Sequence, residues 1–510
     1  MLRDEWKRLK SGTDIRGVAM DGVEGQPVQL TDETVRRIAA AFAAWLSDKT
    51  GTPCRELTVS VGRDSRLSGP RIRNAAVAAL SASGIRVLDC GLASTPAMFM
   101  TTVDLGCDAA LQITASHHPW HRNGLKFFLP SGGLEGSDIG EILAYAQDGR
   151  RPAGFEEEAP GPVEESPYMT RYAARLRRLI VDGVGDGERP LEGFHIVVDA
   201  GNGAGGFYAS AVLEPLGADI SGSQFLDPDG RFPNHIPNPE NEEAMASVSA
   251  AVVRAGADLG VIFDTDVDRA GCVDAQGREI NRNRLVALAA AIALEDHPGG
   301  TIVTDSITST GLKTFIEQEL GGHHWRFKRG YKNVINEAIR LGNDGVNAPL
   351  AIETSGHAAL IDNYFLDDGA YLVTRIIIKA AQLRKEGKTL DSLIAALQEP
   401  AESVELRFSI TEPDFRACGE RILAALESHA EEQGWTLADD SREGVRVSFG
   451  PGQGNGWFLL RLSVHDPVMP LNIESDEAGG CRTIAAQLAA FLKGQAGLEL
   501  DAINTYLGNG

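Results

Sequence analysis

Three times along the chain, a short β-branched run closes on a cluster of Gly, Asp or Ser: LTVSVGRDSR (57–66), FHIVVDAGNGAG (194–205) and GTIVTDSITSTG (300–311). Roughly 50 to 65 residues after each, a second such run ends in a polar loop, a spacing that marks an internal structural repeat. These runs are CDAALQITASHHP (107–119), ADLGVIFDTDVDR (257–269) and APLAIETSGH (348–357). Helix-like sequence lies between them at 71–83, 242–256 and 333–341, so each repeat reads as a mixed α/β unit with its loops at the carboxyl ends of parallel strands. A chain of 510 residues also exceeds what one hydrophobic core holds. The expected fold class is therefore α/β, with three tandem related mixed α/β domains at 1–160, 168–278 and 279–398 and a smaller C-terminal α+β domain at 402–510. In the last domain GVRVSFG and GWFLLRLSVHDPVMPLNIES read as strands, and a helix is expected near 478–494. The acidic, Pro-rich segment 154–167 and the composition change near 399–402 read as linkers.

Charge narrows the partners. With 48 Lys and Arg against 71 Asp and Glu, the formal charge is −23, which opposes nonspecific binding to nucleic acid or to an anionic membrane surface. A phosphorylated metabolite would have to be met by locally concentrated Lys and Arg or by a metal ion. Cys54, Cys90, Cys107, Cys272, Cys418 and Cys481 form no CxxC pair and are expected as packed, reduced thiols. The N-terminal segment lacks an apolar signal core, and the longest apolar run, Leu285 to Leu294, is too short to cross a bilayer. A cytoplasmic protein is expected, and its oligomeric state is unknown from sequence.

The second loop of each repeat carries chemistry, as ligands of open α/β sheets bind at the carboxyl ends of strands. TASHHPWHRNGLK offers the Ser116 hydroxyl beside His117 and His118, with Lys126 ten positions on. A serine hydroxyl can accept and return a phosphoryl group when cations and a metal stabilise the transferring phosphate. FDTDVDRAG sets Asp264, Asp266 and Asp268 at alternate positions, where carboxylates can surround a hard cation such as Mg²⁺. An EF-hand is excluded, because Arg269 stands where Gly and Ala275 where Glu would be needed. IETSGHAAL supplies Glu353, Ser355 and His357, groups suited to sugar hydroxyls. Each loop alone also reads as a polar turn, and the aspartate loop alone resembles a haloacid dehalogenase phosphatase, with Asp264 as nucleophile. That reading leaves Asp268 and the serine loop unexplained.

Taken in order, SGTDIRG (11–17), VGRDSRLSG (61–69), TASHHP with NGLK, DAGNGAG, DTDVDR, RGYK (329–332) and ETSGH followed by DDG resemble the α-D-phosphohexomutase superfamily. The resemblance implies four domains around a central cleft and an active enzyme phosphorylated on Ser116. It implies Mg²⁺ held by that phosphate with Asp264, Asp266 and Asp268, and a hexose 1,6-bisphosphate intermediate and activator. Glucose or mannose phosphate is the expected substrate. Arg16, Lys126 and Arg269 would line the reaction centre, and His117 and His357 would be proton-transfer groups. Lys332, Glu353, Ser355, Arg461, Ser463 and His465 would hold the substrate.

The chain departs from the family pattern in several places. The C-terminal phosphate loop, usually Arg-x-Ser-Gly-Thr-Glu-Pro in the family, reads RLSVHDP (461–467), so Val464 replaces Gly and His465 replaces Thr. A Lys frequent in the segment DSITST is missing, and Tyr331 stands where phosphomannomutase-like members commonly have His. Weaker retention of the intermediate would make the protein a glucose 1,6-bisphosphate synthase. A silent sugar-phosphate sensor is the non-enzyme alternative, although a sensor has no use for the nucleophile.

Overall fold

The computed structural model describes residues 2–152, 159–463 and 466–508, so positions 154–158 of the acidic stretch expected as a linker lie outside the described residues, and within the remainder Val163–Glu165 forms a short strand. The chain forms two compact units, Met1–Leu285 with Ser355–Ser392, and Val286–Thr354 with Leu393–Gly510.

In all three repeats the paired runs become parallel neighbours. In the first unit Thr58–Arg63 lies beside Ala109–Ile113, from Val59 opposite Ala109 to Arg63 opposite Ile113. Ile196–Asp199 lies beside Leu259–Phe263, with Ile196 opposite Leu259. Every residue of Ala109–Ile113 and Leu259–Phe263 is buried, which is why these strands read as apolar runs, interrupted only by Gln112, whose amide donates to Ala93 O at 2.8 Å. Two return strands follow antiparallel. Arg122–Leu129 sets Lys126 opposite Gln112, and Ala270–Asp274 sets Ala270 opposite Phe263. The serine and aspartate loops are thus spans between a parallel strand and its antiparallel return.

Helices cover these sheets. Asp32–Thr50 starts where the Thr31 hydroxyl accepts from the Thr34 amide and stops at Gly51, whose φ of 69° suits glycine. Its face Val35, Ile38, Phe42 and Trp45 joins the core with Val59, Leu111 and Phe127.

In the second unit Thr301–Thr304 lies parallel between His323–Arg326 and Leu350–Ile352. The C-terminal sheet pairs Glu402–Ser409, Val468–Ser475, Gly456–Leu460, Val445–Phe449 and Thr436–Leu437 antiparallel, in that spatial order. The helix expected near 478–494 spans Gly480–Leu492 and buries Ile484 and Leu488 with Phe458 and Leu471. The two sheets of this unit are tied by side chains. Arg446 donates to the carbonyls of Ser306 at 3.0 Å and Thr308 at 3.1 Å, and Arg326 donates to Asp440 at 2.6 Å. All six cysteines are free and buried. The apolar run at Leu285 lies in helix Arg282–Asp296, and among the described residues no helix is long and apolar enough to cross a membrane.

Candidate active site

Ser116 caps the strand Ala109–Ile113 in a left-handed conformation, φ 51°, which a non-glycine residue holds only when its surroundings impose it. Its amide donates to the Thr114 hydroxyl at 2.9 Å. Its carbonyl accepts from Arg66, whose guanidinium also donates to His118 O at 2.6 Å, Pro119 O at 2.9 Å and Arg122 O at 3.0 Å. Arg66 is fully buried and faces Asp64 at 3.3 Å, and Asp64 accepts from Thr114 at 2.7 Å. One arginine therefore stitches the whole serine loop to the loop of the preceding strand.

The aspartate loop is anchored in the same way. The Ala204 amide donates to Thr265 O at 2.8 Å, and a Cβ on Gly203 would stand 2.6 Å from that oxygen, so DAGNGAG is glycine-rich where it lies against this loop. Thr95 donates to Asp266 through its amide, at 2.8 Å, and through its hydroxyl.

The two loops meet at the serine hydroxyl. Ser116 Oγ donates to Asp264 Oδ2 at 3.1 Å and accepts from Arg269 Nη2 at 2.6 Å, with His117 Nδ1 at 3.3 Å. Arg269 Nη2 also faces His117 Nδ1, which places the ring proton on Nε2 if that nitrogen accepts. Burial first, then the neighbouring Arg269 charge, pushes His117 down to about 2, so the imidazole is neutral. Lys126 Nζ donates to Asp268 Oδ2 at 2.7 Å. His357 Nδ1 lies 2.6 Å from Asp367 and 3.9 Å from Asp268. Arg16 is paired with Asp14 at 2.7 Å; burial first, and then the Arg16 charge, depress His118, and Arg16 adds a smaller part to the depression of His117.

The three carboxylates fit a cation. Asp264, Asp266 and Asp268 are all buried, and each offers an oxygen within 4.8 Å of the others. Asp266 Oδ1 and Asp268 Oδ1 have no hydrogen-bond partner. Burial, then the charges of Asp268 and Asp266, raises Asp264 well above the usual carboxylate range. For Asp268 burial acts the same way, but Lys126, His357 and Arg269 outweigh it and hold the group below that range. Three clustered carboxylates that keep oxygen lone pairs unsatisfied suit a hard divalent ion.

The sugar loop is divided between the units. Ser355 and His357 belong to the first, while Glu353 belongs to the second, where Glu353 accepts from the Gly330 amide at 2.6 Å and so fixes the RGYK turn that bears Lys332. There Glu443 accepts from Ser306 and from the Arg329 amide. Arg461 is 8% exposed, and the Ser463 hydroxyl accepts from the Asp466 amide at 3.2 Å. His465, with Val464, lies outside the described residues.

Three successive stretches match the descriptions phosphoglucomutase/phosphomannomutase, alpha/beta/alpha domain I at 8–150, domain II at 171–277 and domain III at 281–400. A phosphomannomutase/phosphoglucomutase of Pseudomonas putida is 31% identical over 86% of this chain and 89% of its own length. The chain belongs to the phosphoglucomutase/phosphomannomutase family. A phosphoglucomutase of Neisseria gonorrhoeae is 30% identical over 94% of this chain and 95% of that one. The crystal structure of a family protein from Burkholderia thailandensis superposes with a TM-score of 0.78 at 28% identity, covering 98% of this chain and all of that one. Membership of this family, part of the α-D-phosphohexomutase superfamily, makes the chain a phosphotransferase of mutase type and leaves the aspartyl-phosphatase alternative without support.

Several residues of the cluster went unremarked in the sequence. Asp64 and Arg66 sit in the quoted motif VGRDSRLSG, where a charged pair directly after a buried strand was an available signal. Asp367 lies in DDG, and Glu240 faces Arg269 at 3.6 Å. Thr95 opens a helix of small and apolar residues, and nothing in its local sequence marks it.

Proposed function

We propose that the protein interconverts hexose 1-phosphate and hexose 6-phosphate, of glucose, mannose or both, through phosphoserine at Ser116 and a bisphosphate intermediate. The observation that carries this reading is the Ser116 hydroxyl, 3% exposed and held between the Arg269 guanidinium at 2.6 Å and Asp264 at 3.1 Å. A hydroxyl so placed is a group whose leaving charge is already met.

In the first transfer the free hydroxyl of the hexose phosphate attacks phosphorus on phospho-Ser116, and the new P–O bond forms as the P–Oγ bond breaks. The hydroxyl proton passes to His357, oriented through Nδ1 by Asp367. Arg269 offsets the charge left on Oγ, and neutral His117 lies beside that oxygen. The bisphosphate then returns its other phosphate to Ser116 by the same step reversed, and added hexose 1,6-bisphosphate serves as activator. Mg²⁺, held by Asp264, Asp266 and Asp268 with the phosphoserine, would supply the positive charge that phosphoryl transfer requires. Lys126 keeps Asp268 ionised for that role. Arg16 contributes charge near the phosphate, Glu353, Ser355 and Lys332 hold the sugar, and Arg461, Ser463 and His465 take the phosphate that does not react. A division into domains at 1–160, 168–278, 279–398 and 402–510 and a cytoplasmic location belong to the same reading, and free buried thiols fit a reducing compartment.

The test is turnover of glucose 1-phosphate with Mg²⁺ and a trace of glucose 1,6-bisphosphate, repeated with mannose 1-phosphate, for wild type and Ser116→Ala. Formation of the 6-phosphate lost in the variant is expected. Activity indifferent to Ser116 would overturn the assignment, and net bisphosphate release without 6-phosphate would make the protein a bisphosphate synthase.

A further inference from the structure

The chain carries 71 acidic residues against 48 basic ones, yet one groove of the first unit inverts that balance. It lies between helices Asp32–Thr50 and Gly69–Ala82, encloses about 400 Å³, and among the described residues is lined by Arg36, Arg37, Arg150 and Arg151 with Glu33 as the one acid, over a floor of alanines. We propose that this groove is an anion site, separate from the catalytic loops, that takes the phosphoanhydride tail of a polyphosphorylated small molecule.

Two of the arginines are fixed in advance. Arg37 donates to Ala146 O at 3.0 and 2.7 Å and to Gln147 O at 2.8 Å, and lies over the Trp6 ring at 5.0 Å. Arg150 donates to Asp48 at 2.5 Å and lies over the Tyr145 ring at 4.0 Å. The ordering of Arg37 lowers the cost of binding, whereas Arg150, half exposed in its pair with Asp48, would share its guanidinium between that carboxylate and the anion. Arg36, by contrast, is exposed and pairs with no described residue. Planar guanidinium forks match phosphate oxygens two at a time, so several arginines about one groove suit an anion with adjacent phosphates better than one with a single charge. A protein partner fits less well, because none of the large exposed apolar side chains lies in the groove and a protein interface needs such anchors.

The groove is also remote from the chemistry. Helix Gly69–Ala82 begins next to Ser68, whose hydroxyl accepts from Asn123 at 2.9 Å beneath the serine loop, and the groove lies at its other end. At the rise of an α-helix that is a separation of about 15 to 20 Å.

Calorimetry on the Mg²⁺-loaded protein, with glucose 6-phosphate saturating to fill the catalytic site, separates the two places. Inorganic pyrophosphate presents the tail alone and ATP the tail with a body. Both are expected to bind wild type, with affinity weakened roughly tenfold or more in Arg36→Ala/Arg151→Ala and by less in Arg36→Gln. The melting temperature and mutase turnover of both variants should stay unchanged. Equal affinity for the two probes assigns the tail alone, and tighter ATP assigns a nucleoside body as well. No binding to wild type, undiminished affinity in the double variant, or an anion displaced by glucose 6-phosphate would each overturn the proposal.

Discussion

Arg66→Met removes the guanidinium that holds the serine loop while keeping most of the apolar stem. The loss comprises donors to four loop carbonyls and the partner of buried Asp64. Hydrogen bonds to a charged group contribute about 1.5–3 kcal/mol each, and breaking one side of a buried ion pair costs about 3–5 kcal/mol. The sum overstates the effect, since a loosened loop turns its carbonyls to water. A local destabilisation of about 3–5 kcal/mol is therefore expected, set by the stranded carboxylate. Ser116, no longer pinned at positive φ, should shift, and a displacement near 1 Å costs roughly 100-fold in kcat. Asp64→Asn is the control. The side-chain amide keeps a polar partner for the Thr114 hydroxyl and the Arg66 backbone amide while four carbonyls still hold the guanidinium, so this variant should cost less than Arg66→Met. Hydrogen exchange of amides 114–122 reads the loop separately from the rest of this multidomain chain, alongside turnover. Exchange and turnover in Arg66→Met within error of wild type would show that something else holds the loop.

Three other perturbations test the site and its supports. Thr95→Val deletes the hydroxyl bonded to Asp266 and should cost about 1–3 kcal/mol in melting stability and weaken Mg²⁺ activation of turnover; an unchanged Mg²⁺ titration would separate Thr95 from the cluster. A Cβ at Gly369 would lie 2.7 Å from the Arg269 carbonyl carbon and 2.8 Å from its oxygen, so Gly369→Ala should lose about 1–3 kcal/mol together with activity, and retention of both would refute the contact. Burial pushes Asp368 up to about 6, against the Tyr172 hydroxyl, the Tyr371 amide and Asn363. Its unfolded value is about 3.9, so its contribution to stability is fully present below about pH 4 and lost as pH rises through 6, by roughly 3 kcal/mol. Asp368→Asn, which can still cap helix Gly369–Lys385, should flatten that slope in hydrogen exchange of the helix, and an equal slope in both proteins would count against it.

Periodicity and spacing carried the architecture because each repeat obeys a local rule. Buried parallel strands are mostly apolar, and their ends must turn, so Leu259 to Asp268 was legible as strand and loop without any partner in view. The same locality exposed Ser116 and the three aspartates. What stayed hidden depends on contacts distant in sequence. Arg66 serves a loop some fifty positions ahead, Thr95 meets Asp266 from the start of a helix 171 positions earlier, and Gly203 is small because Thr265 approaches it. The motif ETSGH spans the boundary between the two compact units, with Glu353 in one and His357 in the other, a division that adjacency in sequence does not reveal.

Register in the first unit constrains length as tightly as identity. Strand side chains alternate between faces, so one residue added or deleted between Arg122 and Lys126 would turn the lysine from the face it shares with Gln112 to the other. The serine and aspartate loops are spans of set length, fastened at both ends, in which an insertion has no conservative form. The exposed tip at Pro451 and Gly452 of the turn that joins Val445–Phe449 to Gly456–Leu460 carries no such duty, and loop-closure entropy rises only slowly with added residues. A grafted tag or sensor peptide would belong there.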